Sequence, residues 1–595
     1  MDKTMEPLLD VKDLTVVVAF RRQHLTAVNG VSFSLSEGER LGIVGESGAG
    51  KSVTGFAILN LVSKPGRITA GSIRLEGREL TTLFDEEMRR IRGNRISMIF
   101  QDPMITLNPV LTVGVQMTET ILAHKDVSAS EARESALATL RKIHIPSPER
   151  RLKQYPHEFS GGTRQRIVIA IALLTNPAPI VADEPTTALD VTIQAEIMDL
   201  LLRLCEPERM GLILITHDLA VVSQVTEKIA VMYAGRIMEM GPTEMITQDP
   251  RHPYTRGLLA ALPQSGGGRR WLNQNPGVMP SLTKIPPGCP FSDRFGECEE
   301  VCRREVPPLT PKQSGCLAAC WINAMTVAPV LNTARAAKPG PDASGPLPDD
   351  HPAPILDISH AVKTFDITGG FLDQLAWRNG RPIRRRTVVR AVNDVSLSIE
   401  KGETLSVVGE SGCGKSTLAR LVMSVYPPDS GEIRFRGERI DDLSQHRLRP
   451  FRTRMQMVFQ DPYASLNPRM TVRAILEEPV RFHNKSMPVT EMKDRVAMVM
   501  KQVGVDPAWA DPTLTNSPAG SGSASPSPAP SWSIRNSSWQ TSPLRPWMYP
   551  FRPRSSTAHG CPGGAEAHLS FHQPRPVGGA PHFKPGRGHV PRDAL

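Results

Sequence analysis

No apolar run in the 595 residues approaches the roughly 20 needed to cross a bilayer as a helix. Nor does the opening, MDKTMEPLLDVKDL, have the basic start and apolar core of a signal peptide. Contact with a membrane is therefore expected to be peripheral and to run through a partner. A concentrated basic surface is also missing. The net charge is +10, but residues 511–595 alone hold eight Lys/Arg against three Asp/Glu, which leaves the other 510 residues near balance. That distribution argues against a nucleic-acid partner. Cysteine is scarce outside one place. Five of the eight cysteines (Cys289, Cys298, Cys302, Cys316, Cys320) fall within 32 residues, which in a chain with no export signal suggests a metal or cluster site before disulfides.

What the chain does have is a repeat. AVNGVSFSLSEGERLGIVGESGAGKS at residues 27–52 recurs as AVNDVSLSIEKGETLSVVGESGCGKS at 391–416. SMIFQDPMITLNP at 97–109 recurs as QMVFQDPYASLNP at 456–468. An offset of 364 residues between the first pair is far too long for a solenoid, so two whole domains are fused. Between them, residues 326–352 are rich in Pro, Ala and Gly and read as a linker.

Each copy carries G-x-x-x-x-G-K-[ST] after a short apolar strand and before a helical stretch. The first is Gly45, Glu46, Ser47, Gly48, Ala49, Gly50, Lys51 and Ser52; the second is Gly409, Glu410, Ser411, Gly412, Cys413, Gly414, Lys415 and Ser416, with Thr417 following. Glycines let backbone N–H groups turn inward around phosphate oxygens, and a helix N-terminus adds positive potential. Lys51 and Lys415 are expected to neutralise the β/γ-phosphates, and Ser52 and Ser416 to offer hydroxyls to Mg²⁺. Strand, P-loop and helix in succession predict a parallel α/β sheet.

Beyond the P-loop, the first half resembles the ATP-binding subunits of ABC transporters. FSGGTRQR (Phe159 to Arg166) is similar to their signature motif, with Ser160, Gly161 and Gly162 as phosphate contacts. IVADEPTTALD (Ile180 to Asp190) is similar to Walker B and the D-loop, FQDP contains the Q-loop Gln101, and ITHD ends on the switch residue His217 and Asp218. The resemblance implies ATP and Mg²⁺ as ligands. Asp183 would hold Mg²⁺ through water, with Ser52 and Gln101 beside it. Glu184 would act as general base, His217 would contact the γ-phosphate, and Gln101 would sense metal and nucleophile. Phe20 is placed to stack on adenine, with Phe365 as the second-half candidate; either is also an ordinary strand aromatic. Thr163 stands where the signature usually has Gln. The fold class implied is α/β, two P-loop NTPase (ABC ATPase) domains in tandem, the second incomplete, with a disordered or non-native C-terminal tail.

Paired FQDP…LNP, YPHEFSGG and RHPYTRGLLAALP (Arg251 to Pro263) resemble the dipeptide/oligopeptide/nickel import branch. PPGCPFSDRFGECEEVC…GCLAACW resembles its cysteine-bearing C-terminal extension. Phe295 replaces one common cysteine, and Cys289, Cys298, Cys302 and Cys320 are the candidates for an iron–sulfur cluster, against reduced cysteines that simply pack a small extension. The expected layout is a first ATP-binding domain at 1–260, the extension at 261–325, the linker at 326–352, the N-terminal part of a second ATP-binding domain at 353–510, and a tail at 511–595. The implied partners are two integral-membrane permease subunits and a periplasmic or extracellular solute-binding protein, with the ATPase on the cytoplasmic face of the inner membrane. The two ATPases are expected to pair head to tail, each P-loop facing the other half's signature.

The second half keeps its P-loop and Gln460, a further Mg²⁺-site candidate with Ser416, but no signature, Walker B, D-loop or switch histidine follows. Residues 511–595 hold 15 Pro, 13 Ser and 9 Gly, which by composition suggests disorder. The genetic code gives a sharper test. Starting each codon one base early, at the third base of the preceding one, Trp539–Gln540 forces Ala, Trp547–Met548 forces Asp and Met548–Tyr549 forces Val. The intervening codons permit ADE[S/P]T[S/T]ALDV, against ADEPTTALDV in the first half. The same shift lets Pro512 to Ala524 read YPHEFSGGQRQR, and a start at the second base lets Phe571 to Pro576 read FISHDL. Two frame slips would account for the tail. The expected function is the ATP-binding subunit of a peptide importer, impaired by loss of the second catalytic half. Alternatives are an inactive nucleotide-binding relic and a soluble tandem ABC ATPase outside transport, though the basic or coiled insertions usual in the latter are missing between the halves.

Overall fold

The structure is a computed structural model. It describes residues 6–262 except 21–22 and 188; 275–322 except 278, 281, 283–284 and 313–314; 354–510 except 367–374, 379–380, 385–387, 411, 460–465, 468–469, 484–486, 504 and 506; and 568–570. The chain divides into two compact units, built on residues 1–338 and 339–576. The 326–352 linker expected from sequence falls outside the described residues.

In the first unit, β1 (Leu9–Phe20) and β2 (Gln23–Leu35) precede β3 (Arg40–Val44), the P-loop and the helix Lys51–Ile58. Strands β4 (Gly66–Leu75), β5 (Arg78–Glu79), β6 (Ser97–Ile99), β7 (Pro179–Asp183), β8 (Gly211–Thr216), β9 (Lys228–Tyr233), β10 (Arg236–Pro242), β11 (Thr310–Pro311) and β12 (Leu317–Ala318) follow. They form an antiparallel sheet ordered β2-β1-β4-β5 and an eight-stranded sheet ordered β11-β12-β10-β9-β3-β8-β7-β6. RLGIV, PIVAD and GLILIT are near-continuous apolar runs because parallel strands with both faces covered need them; all of β7 and β8 is buried. Alternate residues feed two cores. Ile43, Val181 and Ile215 pack with the β1–β4 sheet, while Val44, Ala182 and Leu214 pack with the helical layer.

The parallel register places the chemistry. Val44 pairs with Thr216, Asp183 with Ile215, and Ile99 with Ala182. The residues that follow each strand (Gly45, His217, Glu184 and, one further on, Gln101) therefore emerge along one carboxyl edge, where open α/β sheets place ligands.

The second unit repeats the start of this plan. Strand β13 (Leu356–Asp366) pairs with β16 (Val388–Ile399) and β18 (Ser430–Phe435), and β19 (Glu438–Arg439) completes the order β16-β13-β18-β19. A separate hairpin, β14 (Leu375–Arg378) with β15 (Arg381–Arg384), interrupts the first connection. The P-loop strand β17 (Thr404–Ser406) is short and pairs in parallel with β20 (His568–Ser570). Where Val44 is 1% exposed, its repeat-mate Val408 is 48% exposed; where Ile99 is fully buried, Val458 is 65% exposed. Among the described residues, β20 is the one parallel partner of β17, whereas β3 lies between the parallel strands β8 and β9.

Candidate functional site

The P-loop of the first half closes on Lys51, which is almost fully buried. Its ammonium donates to the carbonyls of Gly45 at 2.9 Å and Glu46 at 3.0 Å. Gly50 adopts φ 98°, and a Cβ there would stand 2.4 Å from the Ala27 carbonyl oxygen. Gly414 does the same in the second copy, φ 98° and 2.0 Å from the Ala391 oxygen, so only glycine fits at either position.

Ser52 Oγ donates to Asp183 Oδ1 at 2.9 Å, which joins the P-loop helix to the end of β7. Hard oxygen donors on the P-loop and on a buried carboxylate fit Mg²⁺, with the nucleotide and water supplying the remaining ligands. Burial, with the adjacent Glu184 charge, raises the Asp183 carboxyl to about 7 against the opposing pull of Ser52 and Lys51. A cation beside it would hold it ionised.

Glu184 stands in the left-handed region, φ 46°, with its N–H donating to the Ile215 carbonyl at 2.8 Å. Strain of this kind persists where the surroundings over-determine it. Its carboxylate accepts from Gln101 Nε2 at 3.0 Å and Thr187 Oγ1 at 2.7 Å, and His217 Nδ1 lies 3.1 Å from the other oxygen. Burial opposes ionisation, but the His217 hydrogen bond and charge, with Thr187 and Lys51, outweigh it and hold the acid at about 2. Half-buried Gln101 and His217 thus flank the buried Glu184 carboxylate and hold it ionised and oriented. Ionisation and fixed orientation suit a group that positions and polarises water, while a value this low makes Glu184 a weak proton acceptor as long as His217 and Thr187 hold it. Thr187 had no role in the sequence reading; its place in DEPTT, three residues after Glu184, was the available signal.

The signature residues go elsewhere. Ser160 is exposed and caps the helix Gly161–Leu173, its Oγ accepting from Thr163 N and lying 2.8 Å from Thr163 Oγ1. Thr163 therefore completes the cap rather than disturbing it. Gly161 is exposed, while Gly162 is buried against Ile193. Asp190 and Asp218 likewise cap the helices Val191–Cys205 and Leu219–Val225. A motif residue here can carry a cap worth about 1 kcal/mol besides any contact with nucleotide.

The second P-loop has the same ring with less around it. Lys415 donates to the Gly409 carbonyl at 2.6 Å and the Glu410 carbonyl at 2.7 Å, and lies 3.6 Å from Cys413 Sγ. Ser416 and Gly412 are exposed, Gly414 and Thr417 half-buried, and no carboxylate meets Ser416 among the described residues. Gln460, Ser411 and the side chain of Phe20 lie outside the described residues. Phe365 packs edge-on against Tyr426, ring centroids 5.5 Å apart, and the Lys363 ammonium lies 5.9 Å from its ring centre. An ordinary strand aromatic does the same.

The extension brings four of its cysteines together. Burial, with the neighbouring Cys320, Cys302 and Cys298, pushes the Cys289 thiol up to about 12. Cys289, Cys302 and Cys320 line a cavity of about 20 Å³ with Phe291, Phe295 and Trp321. Cys316 stands apart against Gly241. All are free thiols, and among the described residues no group of three or more His, Cys, Asp or Glu is placed to hold a metal ion. Cys289, Cys298, Cys302 and Cys320, the residues named for an iron–sulfur cluster, are thus neighbours in the fold, and burial raises the Cys289, Cys298 and Cys320 thiols.

A family model described as ABC transporter matches residues 28–187 and 392–522, and one described as oligopeptide/dipeptide transporter, C-terminal region, matches 238–302. The chain is 38% identical over 510 residues to the oligopeptide transport ATP-binding protein OppD of Mycobacterium tuberculosis, covering 84% of this chain and 80% of that protein. It is 38% identical over 513 residues to the glutathione import ATP-binding protein GsiA of Escherichia coli K12, covering 85% of this chain and 72% of that protein.

Proposed function

The chain belongs to the ABC transporter family of ATP-binding proteins, with two such regions in tandem, and we propose that it is the energy-coupling subunit of an importer for peptides. The observation that carries the reading is the first-half cluster: Lys51 and Ser52 on the P-loop, Asp183 at the Mg²⁺ position, and Glu184 held ionised by His217, Gln101 and Thr187. Phosphoryl transfer needs positioning and charge stabilisation more than covalent chemistry, and these residues supply both. The match of residues 238–302 to the oligopeptide/dipeptide transporter region supports peptides or peptide-like molecules as the cargo. Two permease subunits and a solute-binding protein would complete the importer, with this chain peripheral on the cytoplasmic face. No helix among the described residues is long and apolar enough to cross a membrane.

The exposed Ser160 is suited to meet a nucleotide on another ATP-binding half rather than on its own. The second half cannot reciprocate as written. Exposed Val408 and Val458 support a missing set of strands, and so does β20, which ends at Ser570 just before the stretch that reads FISHDL in another frame. In the first half, β8 runs into ITHDL in the same way. We therefore read the tail as frame-disrupted and this chain as a poor hydrolase that retains nucleotide binding. The test compares the purified chain with a frame-restored version in nucleotide binding and hydrolysis. The expected result is binding in both and cooperative turnover in the restored chain alone. Cooperative turnover by the chain as written would overturn the proposal, whether it came from intact sites or from first halves pairing between chains.

A further inference from the structure

The cysteine-bearing extension reaches the P-loop through a buried arginine that the nucleotide motifs do not include. Arg294, its side chain 6% exposed, forms a two-pronged ion pair with Glu46: Nη1 to Oε2 at 2.8 Å and Nη2 to Oε1 at 3.0 Å. The guanidinium is itself fixed. Its Nε donates to the Pro276 carbonyl at 2.7 Å, its Nη1 also donates to Tyr233 Oη at 3.2 Å, and it lies 5.7 Å from the ring centres of both Tyr233 and Phe291. Glu46 is held on its backbone too, its N–H donating to Tyr254 Oη at 2.8 Å and its carbonyl accepting from Lys51. The methyl of Met279 completes the approach, 3.0 Å from where a Cβ on Gly48 would stand.

Glu46 places a carboxylate on the loop that must receive a nucleotide's phosphates. Left alone, that charge would repel them and compete for Lys51. A planar guanidinium bound at both oxygens cancels the charge and fixes the loop's shape at once. We propose that Arg294 is a positioning residue of the first nucleotide site, neutralising and anchoring Glu46 so that the P-loop accepts phosphate, and that the extension is thereby an integral part of that site. The second half shows the contrast: Glu410 is exposed and no described arginine pairs with it. The proposal rests on nucleotide binding around Lys51.

The experiment measures Mg²⁺-dependent binding of a fluorescent ATP analogue to the full chain, with melting temperature followed in parallel. Arg294→Gln is expected to weaken binding about tenfold, the effect of one uncompensated charge near the phosphates. The loss should shrink at high ionic strength. Adding Glu46→Gln should recover affinity to within about threefold of the unmodified chain, because the charge that needed cancelling has gone. Were Arg294 merely structural, E46Q would restore nothing, and affinity would follow melting temperature; that result overturns the proposal, as does unchanged affinity in R294Q. If the unmodified chain bound no nucleotide, or K51A bound it equally well, the underlying reading of the site would be at fault instead.

Discussion

Replacing the two P-loop lysines one at a time should give unequal losses, although their motifs are nearly identical. Lys51 is 5% exposed, bound to two carbonyls, and backed by Ser52 on the Asp183 carboxylate at 2.9 Å. A desolvated, pre-aimed ammonium makes charge-assisted hydrogen bonds to phosphate worth about 1.5–3 kcal/mol. At about 1.4 kcal/mol per factor of ten, Lys51→Ala should weaken Mg·ATP binding roughly 10- to 150-fold. Lys415 makes the same two contacts, but in a loop open to water and followed by an exposed Ser416 with no described carboxylate partner. Solvent screening brings its contribution to about 1 kcal/mol or less, about fivefold at most. Titration of the full chain with a fluorescent ATP analogue in Mg²⁺ should find one tight equivalent, abolished by K51A and kept by K415A. Equal losses in both variants, or two equally tight equivalents, would refute the reasoning that flanking strands, not the motif alone, make the site.

In the frame-restored chain, Glu184→Gln should lower hydrolysis by about 10²–10⁴ with nucleotide affinity nearly unchanged, since the amide fills the same space without acting as a base; single-turnover kinetics would read it. His252 is fully buried, burial lowers it to about 3, and its Nδ1 accepts from Tyr254 N at 3.1 Å. A histidine kept neutral in the fold binds its proton only when unfolded, so stability falls as pH drops from about 6.5 toward 3, at about 1.4 kcal/mol per pH unit. His252→Asn keeps a cap acceptor and should flatten that slope in melting scans of the first unit. Val44→Lys should cost several kcal/mol or prevent folding, whereas Val408→Lys at the matching position should stay within about 0.5 kcal/mol; equal destabilisation in denaturant melts would contradict the exposure contrast.

The motifs were legible because phosphate chemistry restricts both residue type and spacing. Gly50 and Gly414 stand where a Cβ would strike the carbonyl of Ala27 on β2 or of Ala391 on β16, a constraint visible as G-K-S in each copy. The apolar strand before each P-loop announced a parallel sheet, and β7 and β8 carry similar runs because no face of those strands meets water. The cysteine spacing was legible too, but only the fold shows which of those cysteines meet: Cys289, Cys302 and Cys320 line one cavity, while Cys316 packs against Gly241. Arg294 was invisible because it lies 248 residues from Glu46, and its role depends on a pairing that no local pattern encodes.

By itself, then, the sequence determined that the chain carries two ABC-type regions, which residues are the candidates for phosphate and metal in the first, and where the second stops matching. Tertiary structure decided which of those residues work together. Parallel register aligns the ends of β3, β6, β7 and β8, so that Gln101, Glu184 and His217 share one carboxylate. Among the described residues, the second-half motif has no such row of parallel strands beside it. A P-loop gains its buried lysine and paired serine from the strands beside it, and at Val408 and Val458 the side chains that should touch those strands are exposed.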